Sequence, residues 1–106
     1  MAKHDEEIME VVMTLIMHGG DARSSALEAI AAARKNDVKR AQEKLDGAAQ
    51  SIKIAHDIQT ELLAKEAAGE DVNINLLLIH AGDHVMNAMT YHDLADEMLK
   101  LYQRIN

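Results

Sequence analysis

Within the stretch "NLLLIHAGDHVMNAMT", Asn75 to Thr90, two histidines, an aspartate and an asparagine interrupt an otherwise apolar run. A helix advances about 100° per residue. His80 and His84 then lie one above the other, as do Asp83 and Asn87, and Asp83 sits about 60° round from His80. All four share one broad side of a helix, within reach of one another or of a common ligand. Each would lose about 1 to 3 kcal/mol if buried unsatisfied, and an unpaired carboxylate more. The group must therefore be jointly satisfied or jointly useful. A histidine near neutral pH serves as a nucleophile, a proton shuttle or a metal ligand. The plainer reading of His84 or His56 taken singly is a hydrogen-bonded core residue.

Several chemistries remain open on these residues alone. "HAGDH" is similar to the H-x-x-E-H arrangement of inverted zinc peptidases, with two histidines spaced to share a metal. A shorter aspartate stands where their glutamate base would be, and no acidic third ligand can be picked out. The Glu-x-x-His pairs of di-iron bundles are absent from the chain. A metal-dependent hydrolase using His80 and His84 is one reading, and a helical oligomerisation module without catalysis is another.

The elements that position these groups are helical. The 106 residues contain no proline, five glycines, two tyrosines and neither phenylalanine nor tryptophan, with 48% hydrophobic residues. Alanine, leucine, glutamate, lysine, glutamine and methionine have the best intrinsic helix preference. Residues 1–106 therefore read as one all-α domain. Its formal charge of −7 argues against an electrostatic grip on nucleic-acid phosphates. The lack of cysteine excludes disulfides, thiol chemistry and cysteine-based zinc sites. The opening "MAKHDEEIMEVVM" is acidic where a secretory signal is basic and then apolar, and no apolar run approaches the ~20 residues that span a bilayer. A cytoplasmic protein is expected.

The spacing predicts a first helix over residues 3–35, where Ile8, Val11, Val12, Leu15 and Ile16 recur at helical intervals and "ALEAIAAAR" continues the pattern. Asp5, Glu6 and Glu7 suit its positive end. Gly19-Gly20 is expected to kink this helix without breaking it. "KND", Lys35 to Asp37, reads as a tight turn, with asparagine closing one helix and Asp37 capping the next. Val38, Ala41, Leu45, Ala48, Ile52, Ala55, Gln59 and Leu62 then step by threes and fours through a second helix, which Gly69 stops.

A third helix is expected from about Asn73 to about Arg104. Its stripe is Ile74, Leu77, Ala81, His84, Ala88, Tyr91, Ala95, Met98, Tyr102 and Ile105. Leu76 to Ile79, Val85, Met86 and Met89 add apolar residues all round its first half. Three helices in a monomer each keep one face in water, so a helix apolar on every side calls for cover from other subunits.

Taken together, "GGDARSSALEAI", "NDVKRAQEKLDGA", "AHDIQTELLAKEAAGE" and "LLLIHAGDHVMNAMT" followed by "LADEMLKLY" resemble, almost end to end, the enzyme IIA component of the lactose/cellobiose/chitobiose branch of the bacterial phosphoenolpyruvate-dependent sugar phosphotransferase system. The resemblance implies subunits of three long antiparallel helices assembled as a trimeric bundle. It implies that His80, matching the first histidine of the family's H-A-Q-D-H motif, accepts phosphate from the histidine-containing phosphocarrier protein HPr. His80 would hand it to a cysteine of the IIB component, which phosphorylates a disaccharide as the membrane IIC permease imports it. Asp83 would be the ligand of a divalent metal ion, Mg2+, shared at the trimer interface. Such a shared site is physically sensible, because a hard cation relieves the repulsion of converging carboxylates.

One position departs from that pattern. Gly82 replaces the motif's glutamine and offers no side-chain amide to the ring or to phosphoryl oxygens, so Asn87 and His84 are the expected substitutes as donors. Arg23 is expected to be an ion-pair partner, and His56 with Gln59 a polar layer between helices. Lys35, Lys39 and Arg40 read as solvated charge at a turn. The methionines read as adaptable filler, with any exposed near His80 forming a forgiving docking surface for two partners. Ala81 leans towards the cellobiose/chitobiose side.

Overall fold

The computed structural model describes residues 3–106, with side-chain surroundings from residue 6 onward; the expected role of Asp5 lies outside the described residues. Three helices follow one another, α1 (Lys3–Arg34), α2 (Val38–Ala67) and α3 (Leu76–Ile105), in a bundle 55 × 24 × 19 Å. Short connections turn the chain back twice, so neighbours in sequence run antiparallel. The helix α1 packs along both of the others, which touch each other more sparingly.

The core explains that closeness. Ala22, Ala26, Ala29, Ala32, Ala33, Ala41, Ala48, Ala55, Ala81, Ala88 and Ala95 are buried, and Leu15, Leu45, Val12 and Val85 are the largest fully buried side chains. Small residues at the seams let helix axes approach, and the few branched side chains fill what remains. Towards the α1–α2 turn, Lys44 Nζ bridges helices to Glu28 Oε2 at 2.6 Å. This hydrogen bond and the lysine's charge hold the Glu28 carboxyl below its ordinary range. A carboxylate held low supports the fold above that range and loses its contribution as pH falls through it.

The punctuation follows from side-chain chemistry. Asn36 takes φ 61°, a left-handed conformation that asparagine tolerates better than most residues, and the Asp37 carboxylate accepts the Arg40 N–H at 3.2 Å. At the end of α2, Gly69 adopts φ 87° while its N–H reaches the Glu66 carbonyl and the Glu70 N–H reaches that of Lys65, each at 3.0 Å. This double closure is the Schellman pattern.

Helix α3 starts later than its apolar run suggests. Asn75 is extended, and its side-chain oxygen accepts the Leu78 N–H at 2.8 Å, so Asn73 and Ile74 precede the helix. The helix α1 is continuous through Gly19-Gly20. Among the described residues, no helix is long and apolar enough to cross a membrane.

Candidate functional site

The polar cluster sits on the outer flank of α3, not in the core of the subunit. His80, Asp83 and Asn87 are exposed and His84 is half-buried, while Ala81, Val85, Ala88, Ala95 and Leu99 form the buried face. His80 Nε2 lies 3.1 Å from His84 Nε2, with the rings edge to face. One ring must donate and the other accept, so the two histidines share a single proton position. One turn further, Asn87 Nδ2 donates to Asp83 Oδ2 at 3.0 Å. That bond orients the carboxylate and leaves its other oxygen free.

Asp83 lies along the midline of a second stripe. Leu76, Ile79, Met86, Leu94 and Leu101 flank it on the outer face and are all more than half exposed. On α1, Met9, Met13 and Met17 form a further exposed row. The outer side of α3 thus carries an exposed apolar stripe with the Asp83 carboxylate among its members.

The close approach of α1 to the site depends on Gly19. A Cβ added there would lie 3.1 Å from the backbone carbonyl carbon of His84. The second glycine, Gly20, has nothing within 4 Å of such a Cβ. The pair that reads as a kink therefore contains one residue with a packing reason and one without.

Gly82 likewise has a neighbour that spacing alone does not reveal. A Cβ there would meet the Gln59 amide nitrogen at 3.2 Å. The α2 amide occupies space that a residue-82 side chain would claim, in a small recess also lined by Leu15, Leu62, Leu63, Val72, Ile74 and Leu78. Asn87, the expected substitute donor, is engaged by Asp83. Gly82→Ala should raise stability by up to about 1 kcal/mol, because alanine suits a helix interior better and the end of Gln59 can swing aside. A thermal melt checks this, and a lowered midpoint would show that the Gln59 amide is held in place.

Two expectations about neighbouring groups need correction. Arg23 makes no ion pair with any carboxylate among the described residues; its guanidinium stands 5.2 Å from the centroid of the Tyr91 ring, a cation–π contact. His56 and Gln59 do not share a polar layer. His56 is exposed and lines a recess with Ile52, Lys53, Asp57, Met89 and His92, whereas Gln59 faces Gly82. Both residues face α3 at different places, a difference of side-chain direction that a two-residue-type pattern does not encode.

Arg23 and Tyr91, together with Asp83, His84 and Asn87, line a recess of about 310 Å³ between α1 and α3. His84, whose ring meets that of His80, is one of its lining residues, and His80 is not. Among the described residues no third histidine, cysteine or acidic group joins any pair to complete a metal-ligand set. Within this recess Asp83 is the one carboxylate, so the donor set fits a hard cation only where several chains contribute oxygens.

An exposed imidazole backed by a second one, on a three-helix scaffold, has the geometry that nucleophilic histidine chemistry needs. The family profile described as "PTS system, Lactose/Cellobiose specific IIA subunit" matches residues 10–103. The chain belongs to that family of phosphotransferase-system IIA components. It is 48% identical to the lichenan-specific phosphotransferase enzyme IIA component of Bacillus subtilis, over 95% of this chain and 92% of that protein. Its fold is similar to the crystal structure of the cellobiose-specific enzyme IIA from Bacillus anthracis, with TM-score 0.89 and 40% identity over 99% of this chain and 93% of that one. It is also similar to the IIA(Chitobiose) protein solved in complex with HPr from Escherichia coli, with TM-score 0.78 and 33% identity over 92% of this chain and 94% of that one.

Proposed function

We propose that the protein is a cytoplasmic phosphohistidine carrier, in which His80 accepts a phosphoryl group from HPr and passes it to a cysteine of the IIB component. The transfer serves uptake of a disaccharide of the cellobiose, chitobiose or lactose class through the IIC permease. The observation that carries this reading is the exposed His80 ring, paired with His84 at 3.1 Å, in a chain of this family. The HPr complex of a relative supports the choice of donor.

The chemistry asks little of the protein beyond placement. A lone pair of neutral His80 attacks the phosphorus of the donor's phosphohistidine, the donor's N–P bond breaks, and its electron pair returns to the donor imidazole. A thiolate of the IIB component then repeats the displacement on phospho-His80. Such transfers depend on in-line positioning and on stabilising charge spread over the phosphoryl oxygens. His84 must release its contact if Nε2 is the atom loaded, and its ring N–H then becomes a donor to the incoming oxygens.

Assembly follows from the outer stripe of α3. A subunit that exposes Leu76, Ile79, Met86, Leu94 and Leu101 on one line gains by covering them, and we take the assembly to be a homotrimer with α3 at its centre. Asp83 of each subunit then faces a shared axis, where a divalent cation, Mg2+ in this reading, would offset the converging carboxylates. The cation would serve assembly alone. Chelation should promote dissociation, seen by sedimentation velocity as a shift to smaller species; an unchanged profile would remove the metal from the account.

Incubation with phosphoenolpyruvate, HPr and the general phosphotransferase enzyme tests the carrier function. An acid-labile phosphoryl adduct is expected. A metal-dependent hydrolase would instead show no adduct and would lose tightly bound metal in His80→Ala, and an oligomerisation module would show neither adduct nor metal-dependent activity.

A further inference from the structure

The bond between Asn87 and Asp83 uses only part of what each side chain offers. Asn87 Nδ2 donates to Asp83 Oδ2 at 3.0 Å, and among the described residues no hydrogen bond engages Asp83 Oδ1 or Asn87 Oδ1. Both residues are exposed on the subunit, so these two oxygens are open to a ligand from outside it. They also keep step with the apolar members of the stripe. Leu76, Asp83, Asn87, Thr90, Leu94 and Leu101 fall on one line of alternating four- and three-residue steps, and all six are exposed. Such a line turns successive residues towards a common axis when helices pack in parallel around it. Asp83 and Asn87 are then adjacent layers on that axis.

We propose that Asn87 is a second oxygen ligand for the cation shared between subunits, its amide carbonyl Oδ1 acting beside Asp83 Oδ1. This rests on the shared-axis reading of Asp83. Asparagine carbonyls are ordinary ligands of hard cations, and Mg2+ takes about six oxygens in octahedral order. One carboxylate oxygen from each of three subunits fills half of that shell. One amide oxygen from each fills the rest without adding charge, where a second carboxylate layer would add repulsion. The N–H bond to Oδ2 serves the same end, because it fixes the two groups relative to each other before the ion arrives. The side chain that spacing offers to the phosphoryl group is thereby committed to assembly.

The test replaces Mg2+ with Mn2+ and reads water-proton relaxation, which reports how much water remains on the bound ion. In the wild type the enhancement should be small, because protein oxygens leave no open position. Asn87→Ala should raise it several-fold as water enters where the amides were. Calorimetry should show Mn2+ bound about 10- to 100-fold more weakly by that variant. Asn87 is exposed on the subunit and alanine is the better helix former, so circular dichroism should match wild type. If Asn87 only orients Asp83, affinity falls in Asn87→Ala while the wild-type ion already carries water and relaxes it as strongly as in the variant, which would overturn the proposal. Unchanged affinity in Asn87→Ala overturns it as well. Should the variant fail to assemble, the wild-type relaxation alone decides. A wild-type protein that binds no Mn2+ sinks the shared-cation reading and this inference with it; a wild-type ion that is bound but hydrated sinks only the latter.

Discussion

His80→Ala should abolish phosphoryl loading from HPr, a fall of more than about 10³-fold, the scale seen when a nucleophile is removed from a group-transfer site. The fold should survive, because His80 is exposed and alanine is the better helix former. His84 cannot take over. It is half-buried one turn away, and the contact of its backbone with Gly19 of α1 leaves it less free than His80 to meet a partner. Circular dichroism and sedimentation should match wild type while mass spectrometry finds no adduct. Retained loading in this variant would move the nucleophile elsewhere, with His84 the first place to look.

Substitution of Gly19 gives the largest expected effect on stability. An added Cβ would lie 3.1 Å from the carbonyl carbon and from the Cβ of His84, and 3.2 Å from its carbonyl oxygen. Those atoms belong to a helix backbone anchored by the buried Ala81, Val85 and Ala88, so they cannot swing aside as a side-chain tip would. Alanine gains about 1 kcal/mol of helix preference, but overpacking a tight seam costs about 1 to 3 kcal/mol. Gly19→Ala should therefore lose roughly 1 kcal/mol net, and Gly19→Leu about 3 kcal/mol, enough to unfold much of a marginal domain.

Gly20→Ala is the internal control. With open space around its Cβ, it should gain up to about 1 kcal/mol. Chemical denaturation of the three variants gives the order Gly20→Ala, wild type, Gly19→Ala, Gly19→Leu from most to least stable. Equal gains at both glycines would mean that α3 can retreat from α1 at no cost. Because the contact is with His84 itself, Gly19→Ala should also slow loading where Gly20→Ala leaves it unchanged.

The helices were legible because their signals are local. Asn36 and Asp37 carry the first turn, Gly69 carries the second stop, and the small-residue rhythm of α2 names its buried face. The start of α3 was less so, since Ile74 continues the apolar run and only the capping bond of Asn75 marks where backbone N–H groups begin to pair inside the helix. His80, Asp83 and their helical neighbours Asn87 and His84 follow from spacing, as the contacts at 3.1 and 3.0 Å bear out.

What spacing hides is direction between helices. Periodicity marks α3 as apolar all round without saying that one side meets α1 and α2 while the other is left exposed. It assigns Arg23 a carboxylate by charge alone, whereas the arginine rests on an aromatic face 68 residues further along the chain (91 − 23). The reasons for Gly19 and the amide over Gly82 are also contacts across helices, visible only once the seams are closed.

The most direct test of the account is to locate the phosphoryl group on the loaded wild-type protein by peptide mass spectrometry at alkaline pH, and then to add the IIB component. A single site at His80, emptied as a phosphocysteine appears on IIB, is the expected result. A group found on another residue, or one on His80 that IIB cannot remove, would contradict it.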